Sequence, residues 1–262
     1  MNSIRVSLWQ GFRALGLIFF CGSSLTGFNA FADSRDDDVY RIRFELSPVW
    51  QTVNRVQIPM PGGTRFDFTQ LGRGPAWNYR VDAGWRVGAR SQIRALFAPL
   101  SIRVKGTLGS DVSFQNQLFS GSTATDGVYR FNSYRLTYRY QVSASERYSL
   151  WLGFTGKIRD AEIKLTQGSL SASRDNVGFV PLLHFYGTYF MNEFLRGVLE
   201  VDALAAPQGR AEDIALLLGW KVHPQGELFF GYRMIEGGAD GGGKVYNFAW
   251  LHYAVLGLGF SF

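Results

Sequence analysis

The feature that most constrains the fold is a strict two-residue alternation, in which polar side chains take one face and large apolar side chains the other. Residues 134–142 show it: Tyr134, Leu136, Tyr138, Tyr140 and Val142 alternate with Arg135, Thr137, Arg139 and Gln141. Successive side chains of a β-strand point to opposite faces. The segment therefore predicts a strand with one charged face and one apolar face.

The same alternation recurs along the chain from residue 39 to its last residue. We predict ten strands, at 39–51, 76–88, 91–105, 128–142, 147–159, 177–191, 195–206, 212–222, 227–236 and 247–262. Pro99 interrupts the third, where we expect a bulge because proline cannot donate to a sheet ladder. The repetition predicts an all-β fold.

The predicted connections alternate in length. Four are short, at 89–90, 143–146, 192–194 and 223–226, whereas most others are longer. Alternation continues in 53–58 and 64–71 around the turn residues 59–63, and again in 162–166, which predicts hairpins rising beyond the main strands. An even strand count with short turns at one end and long loops at the other is typical of transmembrane β-barrels.

A membrane barrel points its apolar face outward, whereas a soluble barrel points its apolar face inward. Each Arg or Lys pointed at lipid would cost about 2–4 kcal/mol near the midplane, whereas charges pointed inward can pair. The apolar face also carries Trp77, Trp85, Trp220 and Trp250 near strand ends, which suits the membrane interfaces. We therefore predict a closed, antiparallel, up-and-down transmembrane β-barrel of ten strands, with eight or twelve as alternatives. A soluble exported barrel of the lipocalin type, with an apolar interior, is the competing interpretation.

The first 32 residues have the layout of an export signal. Arg5 and Arg13 precede an apolar run at 14–28, and Ala30-Phe31-Ala32 then forms a small-x-small cleavage pattern before Asp33. The run is shorter than the roughly 20 apolar residues that a spanning helix needs. We predict a signal peptide at 1–32, cleaved between Ala32 and Asp33, and a barrel domain at 33–262. Cleavage removes the one cysteine, so no disulfide or cysteine metal site is expected.

The segment 252–262 alternates to a terminal aromatic residue. It resembles the terminal insertion signal of bacterial outer-membrane β-barrels at Gly257, Phe260 and Phe262, and departs from it at Val255, where a polar residue is more usual. The resemblance extends to the architecture of the mature chain, without a motif of one characterised family. It implies a monomer in the Gram-negative outer membrane, inserted by the barrel-assembly machinery and in contact with lipid and lipopolysaccharide.

Charge and width together describe the lumen. Removing Arg5 and Arg13 lowers the formal charge from +6 to about +4, which requires no nucleic acid partner. Ten strands lie near the width that side chains fill. We predict a plugged lumen with a charge network, and keep a narrow anion path or anionic-ligand pocket as the alternative. Its members are Arg41, Arg43, Glu45, Arg80, Asp82, Arg86, Arg135, Arg139, Glu200, Asp202 and Arg233. The same polar face carries Arg94, Lys157, Arg159, Lys221 and Glu227.

The sequence offers no convincing catalytic constellation. His184 takes lumen parity and is interpreted as structural, His223 lies in a short turn, and His252 shares the apolar face. No His-x-Ser pair occurs, and no spacing suggests a metal or cofactor site. We therefore expect a non-enzymatic barrel with a structural, surface-interaction or narrow porin-like role. An outer-membrane enzyme acting on lipid or lipopolysaccharide is the alternative.

Overall fold

The computed structural model describes residues 39–240 and 242–262. The expected signal peptide and its cleavage site at Ala32 and Asp33 lie outside the described residues. Within the described part, no helix is long and apolar enough to cross a membrane. The strands are β1 (Tyr40–Gln57), β2 (Phe66–Asp67), β3 (Ala76–Gly88), β4 (Ser91–Ala98), β5 (Ser101–Gly106), β6 (Val112–Phe114), β7 (Gln117–Phe119), β8 (Thr125–Ala144), β9 (Tyr148–Gln167), β10 (Leu170–Phe190), β11 (Leu195–Ala206), β12 (Gly209–His223), β13 (Gly226–Asp240) and β14 (Tyr246–Ser261).

The strands close into an antiparallel barrel. Each long strand pairs with its sequence neighbours, and β1 pairs with β14 from Arg41↔Ser261 to Gln57↔Tyr246. β4 and β5 both pair with β8 and together form one stave, so the barrel has ten staves, as predicted. Pro99 and Leu100 separate β4 from β5, which confirms the expected irregularity. Closure leaves no free edge along the first and last strands.

The strands at the long-loop end extend further than predicted. β9 and β10 continue to Gln167 and Leu170, so only Gly168 and Ser169 connect them, whereas we expected ends near 159 and 177. The alternation noted at 162–166 is confirmed as the upper part of β9, paired with 171–175 of β10. There Ile163 and Leu165 face inward and are buried, and polar residues face outward, which is the reverse of the pattern in the apolar belt. Gly168 has φ +56°, a left-handed conformation that suits glycine in a tight turn.

The loops between β1 and β3 and between β5 and β8 fold into a compact unit, here called the cap (residues 58–75 and 107–124). Its β6–β7 hairpin turns at Gln115 and Asn116, both in the left-handed region. Cross-loop bonds join Thr64 N to Ser113 O at 2.9 Å and Gln115 N to Ile58 O at 2.9 Å. The core is apolar and includes Phe66, Phe68, Leu71, Leu108, Val112, Phe114 and Phe119. These long loops are therefore packed structure.

The faces point as the transmembrane interpretation requires. Arg135 and Thr137 of β8 are buried inside the barrel, and the side chain of Leu136 between them is 62% exposed on the outside. The same arrangement is found on β12, where Leu216 lies on the outside of the barrel and Ala215 is buried inside it. Exposed large apolar side chains surround the wall, an arrangement suited to lipid and unfavourable in water.

We predict that Leu136→Arg lowers the free energy of unfolding in lipid vesicles by about 2–4 kcal/mol, because it places a charge near the hydrocarbon midplane. Leu118→Arg is the matched control, since Leu118 is 66% exposed but lies on β7 of the cap. Urea unfolding followed by tryptophan fluorescence measures both. Equal losses for the two variants would contradict the placement of Leu136 against lipid.

Candidate functional site

The centre of the barrel holds a network of buried charges, here called the lumen network. Five arginines and five carboxylates contribute, and each residue is 7% exposed or less. They are Arg43, Arg80, Arg94, Arg135 and Arg233 with Glu45, Asp82, Glu200, Asp202 and Asp213. Equal numbers of the two signs make the network neutral, which is the condition for keeping charges out of water.

Strand parity places these side chains in the lumen. Arg43 and Glu45 are two residues apart on β1, and Arg80 and Asp82 are two apart on β3, so each pair shares the inward face. In the register of the β1–β3 ladder, Arg43 lies opposite Asp82. Alternation within each strand thus supplies the charges, and pairing between strands brings opposite signs together.

Asp213 receives three arginines. Its Oδ1 accepts a bond from Arg233 Nη1 at 2.6 Å, and its Oδ2 accepts one from Arg135 Nη2 at 2.6 Å. Arg80 Nη2 lies 3.4 Å from the same Oδ2. Charge-assisted bonds of this length are among the stronger hydrogen bonds of proteins. Asp213 therefore joins β12 to β3, β8 and β13 across the lumen.

Glu45 and Glu200 form the second junction. Arg43 Nε lies 3.0 Å from Glu45 Oε1, and Arg43 Nη2 lies 2.7 Å from Glu200 Oε2. Arg233 Nη2 contacts Glu45 at 3.2 Å, and Arg94 bridges Asp82 to Glu200. The network thus connects strands on opposite sides of the barrel and fills the space between them.

His184 and Asp202 form a buried pair at the edge of the network. His184 Nδ1 lies 2.8 Å from Asp202 Oδ1, which also accepts a bond from Thr155 Oγ1 at 2.8 Å. Arg135 Nη1 contacts the other oxygen of Asp202 at 2.7 Å. His184 Nε2 has no hydrogen-bond partner among the described residues. The pair resembles the base half of a catalytic triad, but no described hydroxyl is bonded to Nε2 as a nucleophile would be.

Other predicted members of the network lie nearer the short-turn end, among aromatic rings. The Arg139 guanidinium lies 4.0 Å from the Tyr186 ring centroid, and its Nε donates to Gln92 Oε1 at 2.6 Å. Arg41 Nη1 donates to Tyr186 Oη at 3.4 Å, and Arg86 lies 5.6 Å from the Trp151 ring. Cation–π contacts stabilise the guanidiniums of Arg86 and Arg139 beside the lumen network.

The other side chains that could take part in catalysis or metal binding make only structural contacts or are exposed to solvent. His252 lies on the outer surface, 2.8 Å from Thr52 Oγ1 and hydrogen-bonded to Tyr232. His223 is exposed beside the β12–β13 turn. Asp67 accepts bonds from Asn54 N and Thr69 N, which hold the cap. Among residues 39–240 and 242–262, no cluster of metal-ligating side chains is found.

Asp213 is the network residue that our sequence reading did not single out. It has the parity of Ala215, Leu217 and Lys221, and it lies at the predicted start of the β12 strand. Parity alone could have placed it in the lumen. Its three arginine partners could not have been predicted, because they come from strands that are not adjacent to one another in sequence.

Solved structures that resemble this chain are membrane barrels. The outer membrane protease OmpT from Escherichia coli is 11% identical, with 88% of this chain and 99% of that chain covered and a TM-score of 0.51. The protein Ail of Yersinia pestis is 11% identical, with coverages of 85% and 98% and a TM-score of 0.36. The outer membrane protein AlkL is 12% identical, with coverages of 90% and 96% and a TM-score of 0.41. No protein-family model and no curated sequence matches the chain.

The fold is that of an outer-membrane β-barrel. The likeness to OmpT and the closed ten-stave sheet carry this conclusion, whereas the TM-scores of the other two are too low to add to it. At 11% identity the likeness to OmpT concerns the fold alone and transfers no activity. Function must therefore be inferred from the lumen and the surfaces of this chain.

We predict that Asp213→Asn lowers the free energy of unfolding by about 3–5 kcal/mol, because it leaves Arg80, Arg135 and Arg233 crowded without their shared carboxylate. Asp126→Asn is the control, since Asp126 Oδ1 lies 3.6 Å from Lys105 Nζ in an exposed pair. Its expected loss is below about 1 kcal/mol. Urea unfolding of both variants in the same vesicles measures the difference, and similar losses would rule out a stabilising role for the network.

Proposed function

We propose that this protein resides in the outer membrane as a non-enzymatic barrel with a closed lumen, and that it acts through its outer surface. The lumen network is the observation that carries the proposal. Ten charged side chains from β1, β3, β4, β8, β11, β12 and β13 meet in the middle of the barrel, and all are buried. An ion crossing this layer would have to break several charge-assisted bonds at once, so the network argues against a porin-like role.

The cap supports a role at the cell surface. Its loops are packed around an apolar core, and the Phe66 and Phe114 rings meet edge to face with centroids 6.3 Å apart. A surface that is folded before a partner arrives loses little conformational entropy on binding. Beside it, the β9–β10 hairpin reaches beyond the apolar belt to Gly168 and Ser169. These two features are the proposed interaction surface.

The proposed location rests on the fold and on the sequence signals together. Export would use the segment 1–32 and cleavage between Ala32 and Asp33. Insertion by the barrel-assembly machinery would use Gly257 and Phe260 on β14 and Phe262 directly after it, and the two phenylalanines are exposed. The apolar belt would contact lipid, and the cap would lie near lipopolysaccharide. The proposal is of a monomer.

One observation favours an outer-membrane enzyme acting on lipid or lipopolysaccharide instead. His184 is buried, oriented by Asp202, and has an unpaired Nε2. Against it, Asp202 is already bonded to Arg135 and Thr155, which favours a structural pair. Hydrolysis of phospholipid or lipopolysaccharide by the folded protein, abolished by His184→Ala without loss of folding, would favour this alternative.

We predict no steady ion conductance for the purified protein in planar lipid bilayers. Asp213→Ala combined with Arg233→Ala should create conductance, because it removes a bonded pair from the network and leaves a hydrated gap. Folding of each sample is checked by heat-modifiable gel mobility. Stable channels formed by the unaltered protein would contradict the closed-lumen proposal.

We predict an orientation with the long loops outside the cell. Ser169 and Gln225 are both exposed, the first at the tip of the β9–β10 hairpin and the second in the β12–β13 turn. After export the chain would contain no other cysteine, so single Ser169→Cys and Gln225→Cys variants form a matched pair. A membrane-impermeant thiol reagent should label the first on intact cells and the second only after lysis. The opposite pattern would reverse the orientation.

A further inference from the structure

The barrel wall is incomplete between β10 and β11. Their ladder runs from Phe190↔Arg196 to Leu183↔Ala203 and stops there. β10 continues for thirteen residues, from 182 back to 170, and over this length it pairs only with β9 among the described strands. β11 ends at Ala206, in a short hairpin with β12. One edge of β10 is therefore open above Leu183.

The open edge begins within the apolar belt. Phe179 precedes Val180 on this part of β10, and its side chain is 67% exposed on the outer face. It lies opposite Ile158 of β9, which is also an exposed apolar residue. Pro181 lies between Phe179 and Leu183, and proline, which lacks an N–H, is characteristic of strand edges. Unpaired backbone at membrane depth is tolerated only where it is buried in protein or lines a water-filled cavity. The open edge of β10 is therefore expected to line a cavity.

A cavity of about 470 Å³ lies behind the gap. It is lined by inward residues such as Lys157, Val180, Leu204, Ile235 and Leu251, and by the outer-face residues Phe179 and Pro181. A single cavity thus touches both the lumen side and the lipid side of the wall. Its size falls within the range of about 300–1,000 Å³ found for small-molecule sites.

The inner wall of the cavity is largely apolar, with polar groups from Tyr129 and Asn247 and two cations. Lys157 is 3% exposed, its Nζ lies 4.6 Å from the Phe131 ring centroid, and no carboxylate of the described residues lies within 4.0 Å of it. Arg159 on the same face of β9 also lines the cavity and donates to Asn176 Oδ1 at 2.5 Å. A buried ammonium without a carboxylate is costly, and an anionic group beside it would relieve that cost.

The acidic residues of the cavity lie at its rim. Glu236 forms an ion pair with Arg210, whose guanidinium also lies 5.0 Å from the Phe248 ring. Glu212 has the outward parity of Ile214 and lies next to Glu236 in the β12–β13 ladder. Neither carboxylate forms a salt bridge with Lys157 or Arg159. The interior thus combines a largely apolar wall with two cations that form no salt bridge with the described carboxylates.

We propose that this cavity binds a single-chain anionic amphiphile, with its carboxylate at Lys157 and Arg159 and its acyl chain leaving through the β10–β11 gap past Phe179 and Pro181. The apolar wall matches the chain, and the buried cations match the head group. This site goes beyond the proposed function, because a closed lumen network and a ligand entering from the side are independent of each other.

The test uses the full mature protein in phosphatidylcholine vesicles. Spin-labelled palmitate and its methyl ester are titrated, and electron paramagnetic resonance measures the immobilised fraction. Lys157→Met removes the charge, and Leu204→Trp fills the cavity without changing charge. Lys221→Met is the matched control, because Lys221 is exposed at the short-turn end. Heat-modifiable mobility verifies folding of each variant.

We expect palmitate to bind at least roughly tenfold more tightly than the ester, as a charge-assisted contact implies. Lys157→Met should abolish that preference, Leu204→Trp should weaken both probes, and Lys221→Met should change neither. The proposal is overturned if the unaltered protein immobilises no more palmitate than protein-free vesicles, or if both probes bind it equally. It is also overturned if Leu204→Trp binds both as the unaltered protein does. If Lys157→Met fails to fold, the binding of both probes to Leu204→Trp still tests the proposal.

Discussion

The pairing of β1 with β14 is the contact on which the rest of the structure depends. In hydrocarbon, each backbone N–H and C=O must find its partner within the protein, and a sheet achieves this only by closing. Once the sheet is closed, its outer face must be apolar, and the polar face is enclosed. The charges that alternate along each strand are then confined to a space narrow enough for them to bond one another. Closure and the lumen network are therefore two consequences of one alternating pattern.

The wall is not uniform around its circumference, and this irregularity concentrates the features with functional potential. On one side, β8, β9 and β10 rise beyond the belt and support the cap, so Tyr129 of β8 and Ile163 and Leu165 of β9 belong to the same buried apolar cluster as the cap core. On the other side, the β11–β12 hairpin ends early at Ala206 and Gly209. The height difference between β10 and β11 produces the open edge beside the cavity. In the proposed orientation the tall wall would make contacts outside the cell, and the low wall would allow the proposed exchange with the membrane.

The strands and their faces could be predicted because a period of two requires only the local sequence. Leu136 and Arg135 show this, since each took the face that its parity indicated. The hairpin at 162–166 was predicted from its alternation, but its continuity with the membrane part of β9 and β10 was not. Its apolar residues Ile163 and Leu165 take the inner face, which is the polar face lower down the same strand. The cap core, the meeting of Asp213 with three arginines, and the gap above Leu183 depend on contacts between distant segments. No local pattern encodes such contacts.

The lumen network also has an uneven origin along the chain. The staves up to β8 contribute four of its arginines and two of its carboxylates, a net charge of 4 − 2 = +2. The staves from β11 onward contribute one arginine and three carboxylates, a net charge of 1 − 3 = −2. A barrel assembled only from the early staves would thus enclose a net positive charge. The later staves carry a net negative charge and would be attracted to it. Arg233 and Glu45, 188 positions apart, bond only when the sheet is complete. Assembly of this barrel should accordingly be all-or-none, with electrostatic attraction drawing the late strands towards the early ones before the seam is sealed.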